Sequence, residues 1–242
     1  MIVVNNLCKK YGKTRVVKKI SFSIKAGEVV AIIGKRGAGK TTIFRILSTI
    51  IKPTSGTGYI NRKSIIKNRK DIRKDIGIIF GGEFALYEKL TAEENIRYFA
   101  KLHKIDKAKI NSRVNELLNK FELEEVRNVK VENYSAIMKQ KVVLARSIVH
   151  DPKLLLLDEP SKGLDTDTTR LIDDFILENK NKGKTIVISS GILDSLEKVC
   201  DRVIILHKGK IADEGGFDYL KKKYNGEKIE LALEKIVGDE YV

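Results

Sequence analysis

The chain has 242 residues, 42% hydrophobic and 33% charged, with Lys+Arg 47 against Asp+Glu 32 and a net charge of +15. Such a chain can bury a full α/β core, alone or with a smaller lobe. No apolar run reaches the ~18 residues of a membrane span, residues 1–6 do not resemble a signal peptide, and Cys8 and Cys200 lack disulfide or zinc spacing. A soluble chain in the reducing cytoplasm is therefore expected, with both cysteines as small buried hydrophobes. The positive balance suits a nucleotide, a nucleic acid or an anionic membrane. The lysines read as spread along the chain, with a local concentration at 62–74. That segment mixes Ile65, Ile66 and Ile72 with Asp71 and Asp75, so it reads as a solvated face.

In chain order, residues 2–7 and 20–24 alternate apolar and polar residues, which predicts strands flanking a core. Lys10-Tyr11-Gly12 between them predicts a turn whose Tyr11 either stacks on a purine ring or has no partner. The apolar run 29–33 reads as a buried parallel strand. It leads directly into Gly34-Lys35-Arg36-Gly37-Ala38-Gly39-Lys40-Thr41-Thr42, which fits G-x-x-x-x-G-K-[ST]. Gly34, Gly37 and Gly39 allow the backbone N–H groups, Ala38 included, to turn inward around a phosphate. Lys40 then reaches the β- and γ-phosphates, the Thr41 hydroxyl takes Mg²⁺, and the helix beginning at Thr42 directs its positive end at the site. That helix is predicted over 42–51, stopped before Pro53. The strand-before, helix-after context makes an ordinary Gly-rich turn the weaker reading, and nucleoside triphosphate binding is expected.

Short strands are predicted at 57–60 and 76–80. From Gly81-Gly82 to about 133 the pattern becomes helical, with Thr91 capping a helix over 93–103 and another over 110–121. Ser135 caps a third helix through Val149. The apolar run Leu154-Leu155-Leu156-Leu157 then delivers Asp158 and Glu159 to a strand's C-terminal end, where ligands sit in open parallel sheets. Asp158 suits Mg²⁺ and Glu159 suits polarising an attacking water, against a plain loop-capping role for the pair. Strands at 185–189 and 202–206 flank a helix over 193–199, and the tail from 217 is a short appendage, helical over 231–236. The fold class is thus α/β: a P-loop NTPase-type parallel sheet, an N-terminal antiparallel β part and an inserted helical subdomain. The expected division is 1–82 with 151–216 as nucleotide-binding core, 83–150 as helical subdomain and 217–242 as appendage.

These motifs, in this order, resemble the ATP-binding cassettes of ABC transporters over nearly the whole chain. Ser161-Lys162-Gly163-Leu164-Asp165 looks like the family's dimer-contact loop, and Cys200-Asp201-Arg202-Val203 with His207-Lys208-Gly209-Lys210-Ile211 like its closing strand pair. Gly81-Gly82-Glu83, Leu86 to Thr91 and Tyr134-Ser135 look closest to sodium- and drug-extrusion exporters. The resemblance implies ATP and Mg²⁺ as cofactors, with Tyr11, residues 34 and 37–42, and Ser135 as nucleotide contacts. It further implies Thr41 and Asp158 on the metal, and Glu159 with Lys40 in hydrolysis. It implies a head-to-tail dimer of cassettes that drives membrane-spanning subunits from the cytoplasmic face, without a nucleic acid partner. A soluble cassette acting on nucleic acid, or in a regulatory or assembly complex, is the alternative.

Three departures bear on mechanism. Tyr134-Ser135-Ala136-Ile137-Met138 replaces Leu-Ser-Gly-Gly-Gln, so Ile137 puts a β-branched side chain where glycine allows close approach to phosphate. Gly81 and Gly82 stand in place of a glutamine that watches Mg²⁺ and water. Gly191 follows Ser189-Ser190 where the family has a histidine, and His103, His150 and His207 read as ordinary surface or helix residues. Lys35-Arg36 replaces residues commonly neutral. Each lost contact to a transferring phosphate can slow turnover about a hundredfold. Firm binding with slow hydrolysis is expected, as is pairing with an unlike cassette in which this chain is the degenerate half, Ile137 facing the other cassette's ATP while Gly81 and Gly191 impair its own.

Overall fold

The computed structural model describes residues 1–81, 84–190, 193–225 and 229–237. Strands β1 (Ile2–Tyr11) and β2 (Thr14–Ile24) form a hairpin, and β3 (Val29–Ile33) leads through the glycine loop into α1 (Lys40–Leu47). After β4 (Ser55–Ile60) and β5 (Lys63–Ser64), α2 (Arg69–Asp75) runs into β6 (Ile76–Phe80). Helices α3 (Ala92–Leu102) and α4 (Lys107–Lys120), a 3₁₀ turn (Val131–Asn133) and α5 (Ala136–Ser147) follow. Strand β7 (Leu154–Asp158), α6 (Thr166–Asn181), β8 (Thr185–Ser189), α7 (Leu193–Val199), β9 (Arg202–His207) and β10 (Lys210–Gly215) come next, then α8 (Phe217–Lys223) and α9 (Ile229–Val237).

Among the described residues the strands make two sheets. One is antiparallel, in the order β2-β1-β4-β5; the other runs β10-β9-β3-β8-β7-β6, parallel except for the edge strand β10. Strands β3, β7 and β8 are buried at every position, as expected of a parallel sheet covered on both faces. Alternation along β3 divides the core. Val29, Ala31 and Ile33 pack with the residues of α3 to α6, whereas Val30 and Ile32 pack with α1 and the antiparallel sheet. The site therefore lies between two apolar layers, at the C-terminal ends of the parallel strands.

Local chemistry accounts for the helix ends. Thr91 and Glu94 close a reciprocal capping box at α3, as Thr91 implied. The Ser135 hydroxyl accepts the Met138 N–H at 3.3 Å, and Asp165 caps α6 through the Thr168 N–H at 2.8 Å. Helix α1 differs from expectation at both ends. It opens at Lys40, because Gly39 already takes the left-handed conformation that turns the chain, and it stops at Leu47, where Thr49 (φ +61°) reverses the backbone. The Ile50 and Ile51 N–H groups fold back onto the Arg45 carbonyl. Likewise α5 ends at Ser147 instead of Val149, with the Arg113 guanidinium donating to the Ile148 and Val149 carbonyls.

Two further expectations need correction. Tyr11 closes strand β1 and is not in the turn; it is 46% exposed, with the Lys9 ammonium 5.1 Å from its ring centroid. His103 and His150 are not ordinary surface positions. Their rings stack 3.5 Å apart and nearly parallel, and His150 Nε2 is 3.0 Å from the Ile76 carbonyl. Burial lowers the His103 pKa, and burial with His103 alongside lowers that of His150 to about 4. In the 62–74 segment Ile65 and Ile72 are buried anchors and only Ile66 is exposed. Both cysteines are buried, but their thiols are held oppositely. A hydrogen bond with Ser55 and the Lys19 N–H lower the Cys8 pKa, and desolvation raises that of Cys200. No described helix is long and apolar enough to cross a membrane. Gly82, Glu83 and Gly191 lie outside the described residues.

Candidate functional site

The site is built on the turn from β3 to α1. Gly34 (φ +151°) is a glycine by necessity, since a Cβ there would lie 2.3 Å from the Leu206 carbonyl oxygen of β9. Gly37 (φ +85°) and Gly39 (φ +108°) supply the remaining positive φ angles, and the Ala38 N–H donates to the Lys35 carbonyl at 3.0 Å. Ala38 is buried, Thr41 is exposed and Thr42 half-buried, so the loop forms a bowl at the N-terminus of α1.

Lys40 lies across this bowl, 8% exposed. Its ammonium donates to the Gly34 carbonyl at 2.5 Å and the Lys35 carbonyl at 3.2 Å, and sits 3.8 Å from Glu159 Oε1. Desolvation lowers its pKa, opposed by Glu159 and Asp158. A buried ammonium anchored only by carbonyls and a carboxylate can exchange those partners for phosphate oxygens.

The two carboxylates arrive on β7, whose register pairs Asp158 with Ser189 of β8 and with Phe80 of β6. Asp158 is 4% exposed, and the Ser189 hydroxyl donates to its Oδ1 at 2.6 Å. The same hydroxyl, and the Ser189 carbonyl, accept the Glu159 N–H at 2.9 Å. Glu159 itself takes a left-handed φ of +48°, which turns the chain off the sheet and puts its carboxylate between Lys40 and Lys162, the latter 3.3 Å from Oε2. Thus Lys40 and the adjacent pair Asp158 and Glu159, far from it in sequence, converge.

Tyr11 is not tied to this cluster, and Ser135 uses its hydroxyl to cap α5, with Ile137 half-buried beside it. Three further residues take part. The sequence marks Ser189 only as a strand end, and its register with Asp158 is the signal that places it here. Lys162 belongs to the loop that resembles a dimer contact. Gly81 stands where the family has a glutamine, yet its backbone is a structural part: its N–H donates to the Asp158 carbonyl at 2.7 Å, and a Cβ there would lie 1.8 Å from the Glu159 carbonyl oxygen.

The chain is similar to known proteins in sequence and fold. A family model described as ABC transporter matches residues 17–162. The ABC transporter ATP-binding protein NatA of Bacillus subtilis is 35% identical over 215 residues, covering 89% of this chain and 87% of that protein. The bacitracin transport ATP-binding protein BcrA of Bacillus licheniformis is 38% identical over 227 residues, covering 92% and 72%. A solved ATP-binding subunit of an ABC transporter superposes with a TM-score of 0.88 at 29% identity, covering 98% of this chain and 99% of that one. A dimeric ATP-binding cassette in a post-hydrolysis state, bound to ADP and Pi, superposes with a TM-score of 0.80 at 30% identity over 89% of this chain and 98% of that one. The fold is that of the P-loop NTPases, and the chain belongs to the ABC transporter family as one of its ATP-binding cassettes.

Proposed function

We propose that this cassette binds Mg·ATP in the 34–42 loop and uses nucleotide-driven pairing with a second, unlike cassette to move membrane-spanning subunits from the cytoplasmic face. The observation that carries the reading is the convergence of Lys40, Asp158 and Glu159 at one bowl of backbone. Gly34, Gly37, Ala38, Gly39 and Thr42 would supply the backbone cradle and Tyr11 a face for the adenine. In a head-to-tail pair, Ser135 would contact the nucleotide of the other cassette. On this reading 83–150 is a helical subdomain inserted into a core of 1–82 and 151–216, and 217–242 is an appendage.

The residues fit a magnesium ion. Asp158 is a buried carboxylate at the strand end with one oxygen fixed by Ser189, and Thr41 lies in the first turn of α1; oxygen donors of this kind, with phosphates and waters, suit Mg²⁺. The ion would neutralise charge on the terminal phosphates. Glu159 would hold the attacking water and accept its proton. Lys40 and Lys162 engage the two carboxylate oxygens that the water would need, which reinforces slow turnover.

Relatives named for bacitracin transport and daunorubicin resistance support an export role. Measured on the purified chain, Mg·ATP should bind clearly and phosphate release should be slow. Lys40→Ala should weaken binding by about 10–100-fold, the loss of a hydrogen-bonded charge, and Glu159→Gln should bind normally. Unimpaired Mg·ATP binding by Lys40→Ala would contradict the site, and recovery of only like copies from native membranes would contradict the unlike partner.

A further inference from the structure

Counted along the chain, the charge is not spread as expected. Residues 1–70 hold 17 Lys and Arg against the single acid Glu28, and the remaining 172 residues hold 30 against 31. The whole net positive charge therefore resides in residues 1–70. Three of those cations meet Lys210 of β10 in one concavity. The edge strand of each sheet, β2 and β10, lie alongside each other, the Lys18 N–H donating to the Gly209 carbonyl at 2.8 Å. The seam is an open groove of about 660 Å³, lined by Arg15, Lys18, Lys19 and Lys210 over Ile20 and Ile211.

Two features distinguish this groove from a solvated charged face. First, no carboxylate lines it, and none of the four cations pairs with one among the described residues, whereas Lys and Arg elsewhere in the chain are extensively paired. Second, the backbone is bent to bring the cations together. On a regular strand Lys18 and Lys19 would point to opposite faces. Here Lys19 takes a left-handed φ of +54° at an irregularity in the β1–β2 register, its N–H is held by Cys8 Sγ at 3.2 Å, and both lysines line one groove. A bulky residue held in that conformation is uncommon, and such outliers cluster at binding sites.

We infer that the β2–β10 groove is a second anion site, separate from the nucleotide loop, for a ligand bearing clustered phosphate charges, either a free polyphosphorylated molecule or a phospholipid headgroup. Four convergent cations with no internal counter-charge repel one another, and a multiply charged phosphate relieves that repulsion through charge-assisted hydrogen bonds. The groove also adjoins the nucleotide loop. The Val16 carbonyl beside Arg15 backs Gly39, 3.1 Å from where its Cβ would be, and the same carbonyl meets Gly209.

The test uses the full chain with the nucleotide loop saturated by Mg·ADP and inorganic tripolyphosphate as probe, followed by calorimetry. One binding event that Mg·ADP does not compete away is expected, weakening steeply with added salt. Lys18→Ser with Lys210→Ser should weaken that event at least about tenfold, the scale of one lost charged hydrogen bond, and leave Mg·ADP affinity unchanged. Cosedimentation with phosphatidylglycerol vesicles, lost in the same variant, would support the headgroup source; vesicle-independent binding of the probe alone would support the soluble one. Absence of both events, or their persistence in the double variant, overturns the inference. Failure of the wild type to bind Mg·ADP would instead strike the nucleotide-site reading, and tripolyphosphate binding would then be assigned by its loss or survival in Lys40→Ala and in the double variant.

Discussion

Gly81→Ala tests how tightly the strand ends are built around the acidic pair. An alanine Cβ would lie 1.8 Å from the Glu159 carbonyl oxygen, 2.7 Å from its carbon and 3.1 Å from the Asp158 carbonyl oxygen. Ordinary contact begins near 3.4 Å, so β6 and the β7 end must separate by about 1.5 Å. The separation strains or breaks the 2.7 Å bond from the Gly81 N–H to Asp158. Overpacking of this kind costs about 1–3 kcal/mol; Gly81 is exposed, so its freed N–H can turn to water. A loss of about 1–3 kcal/mol is expected, opposite in sign to the slight gain usual for Gly→Ala at an unstrained site. Urea unfolding would show it as a midpoint lowered by roughly 0.5–1.5 M, taking a slope of about 2 kcal/mol/M. Mg·ATP affinity should fall as well, since Asp158 and Glu159 move with the strand. A variant within about 0.5 kcal/mol of wild type, binding nucleotide normally, would refute the reasoning. The same contact means that Gly81→Gln should damage the site and not restore the family's usual glutamine.

Other predictions follow from the same geometry. Ser189→Ala removes the hydroxyl that fixes Asp158 Oδ1 and accepts the Glu159 N–H; it should lower stability by about 1–3 kcal/mol and weaken magnesium-dependent nucleotide binding more than magnesium-free binding, measured by titration with and without chelator. The pH dependence of stability should carry a histidine signature. His150 has a folded pKa of about 4 against an ordinary value near 6.5, so between those values the unfolded chain takes up a proton that the folded chain does not. Stability is then full above pH 6.5 and falls as pH drops through that window, by about 3–4 kcal/mol at most, of which about 2 falls between pH 7 and 5. His150→Phe should flatten that slope in urea midpoints compared at pH 7 and 5, and an unchanged slope would sink the assignment.

Much of this was legible in the residues because the chemistry is local. The glycine loop, the Thr91 cap with Glu94 three residues on, and the apolar run ending in Asp158-Glu159 are each short patterns whose mechanics are set by neighbours in the chain. Helix ends were harder to read: α1 stops where Thr49 reverses the chain and α5 where Arg113 takes the last carbonyls, and both depend on partners or conformations invisible in a linear pattern. The His103–His150 stack joins the ends of α3 and α5 across 47 positions, so neither histidine carries a local sign of it. Gly81 shows the limit differently. Its identity looked like a missing catalytic group, but the approach of two strands decides it. The charge asymmetry is visible from counting alone, masked by lysines that recur throughout.

The opposed surroundings of the two thiols make them a matched pair of internal reporters. Thiolate is the species that alkylates, so under mild labelling Cys8, on the hairpin strand, should respond to small openings of the antiparallel sheet, whereas Cys200, at the end of α7 under the main core, should wait for wholesale disruption. One labelling time course on the unaltered chain would thus separate breathing of the charged lobe from melting of the parallel sheet, without introducing a dye or a single mutation.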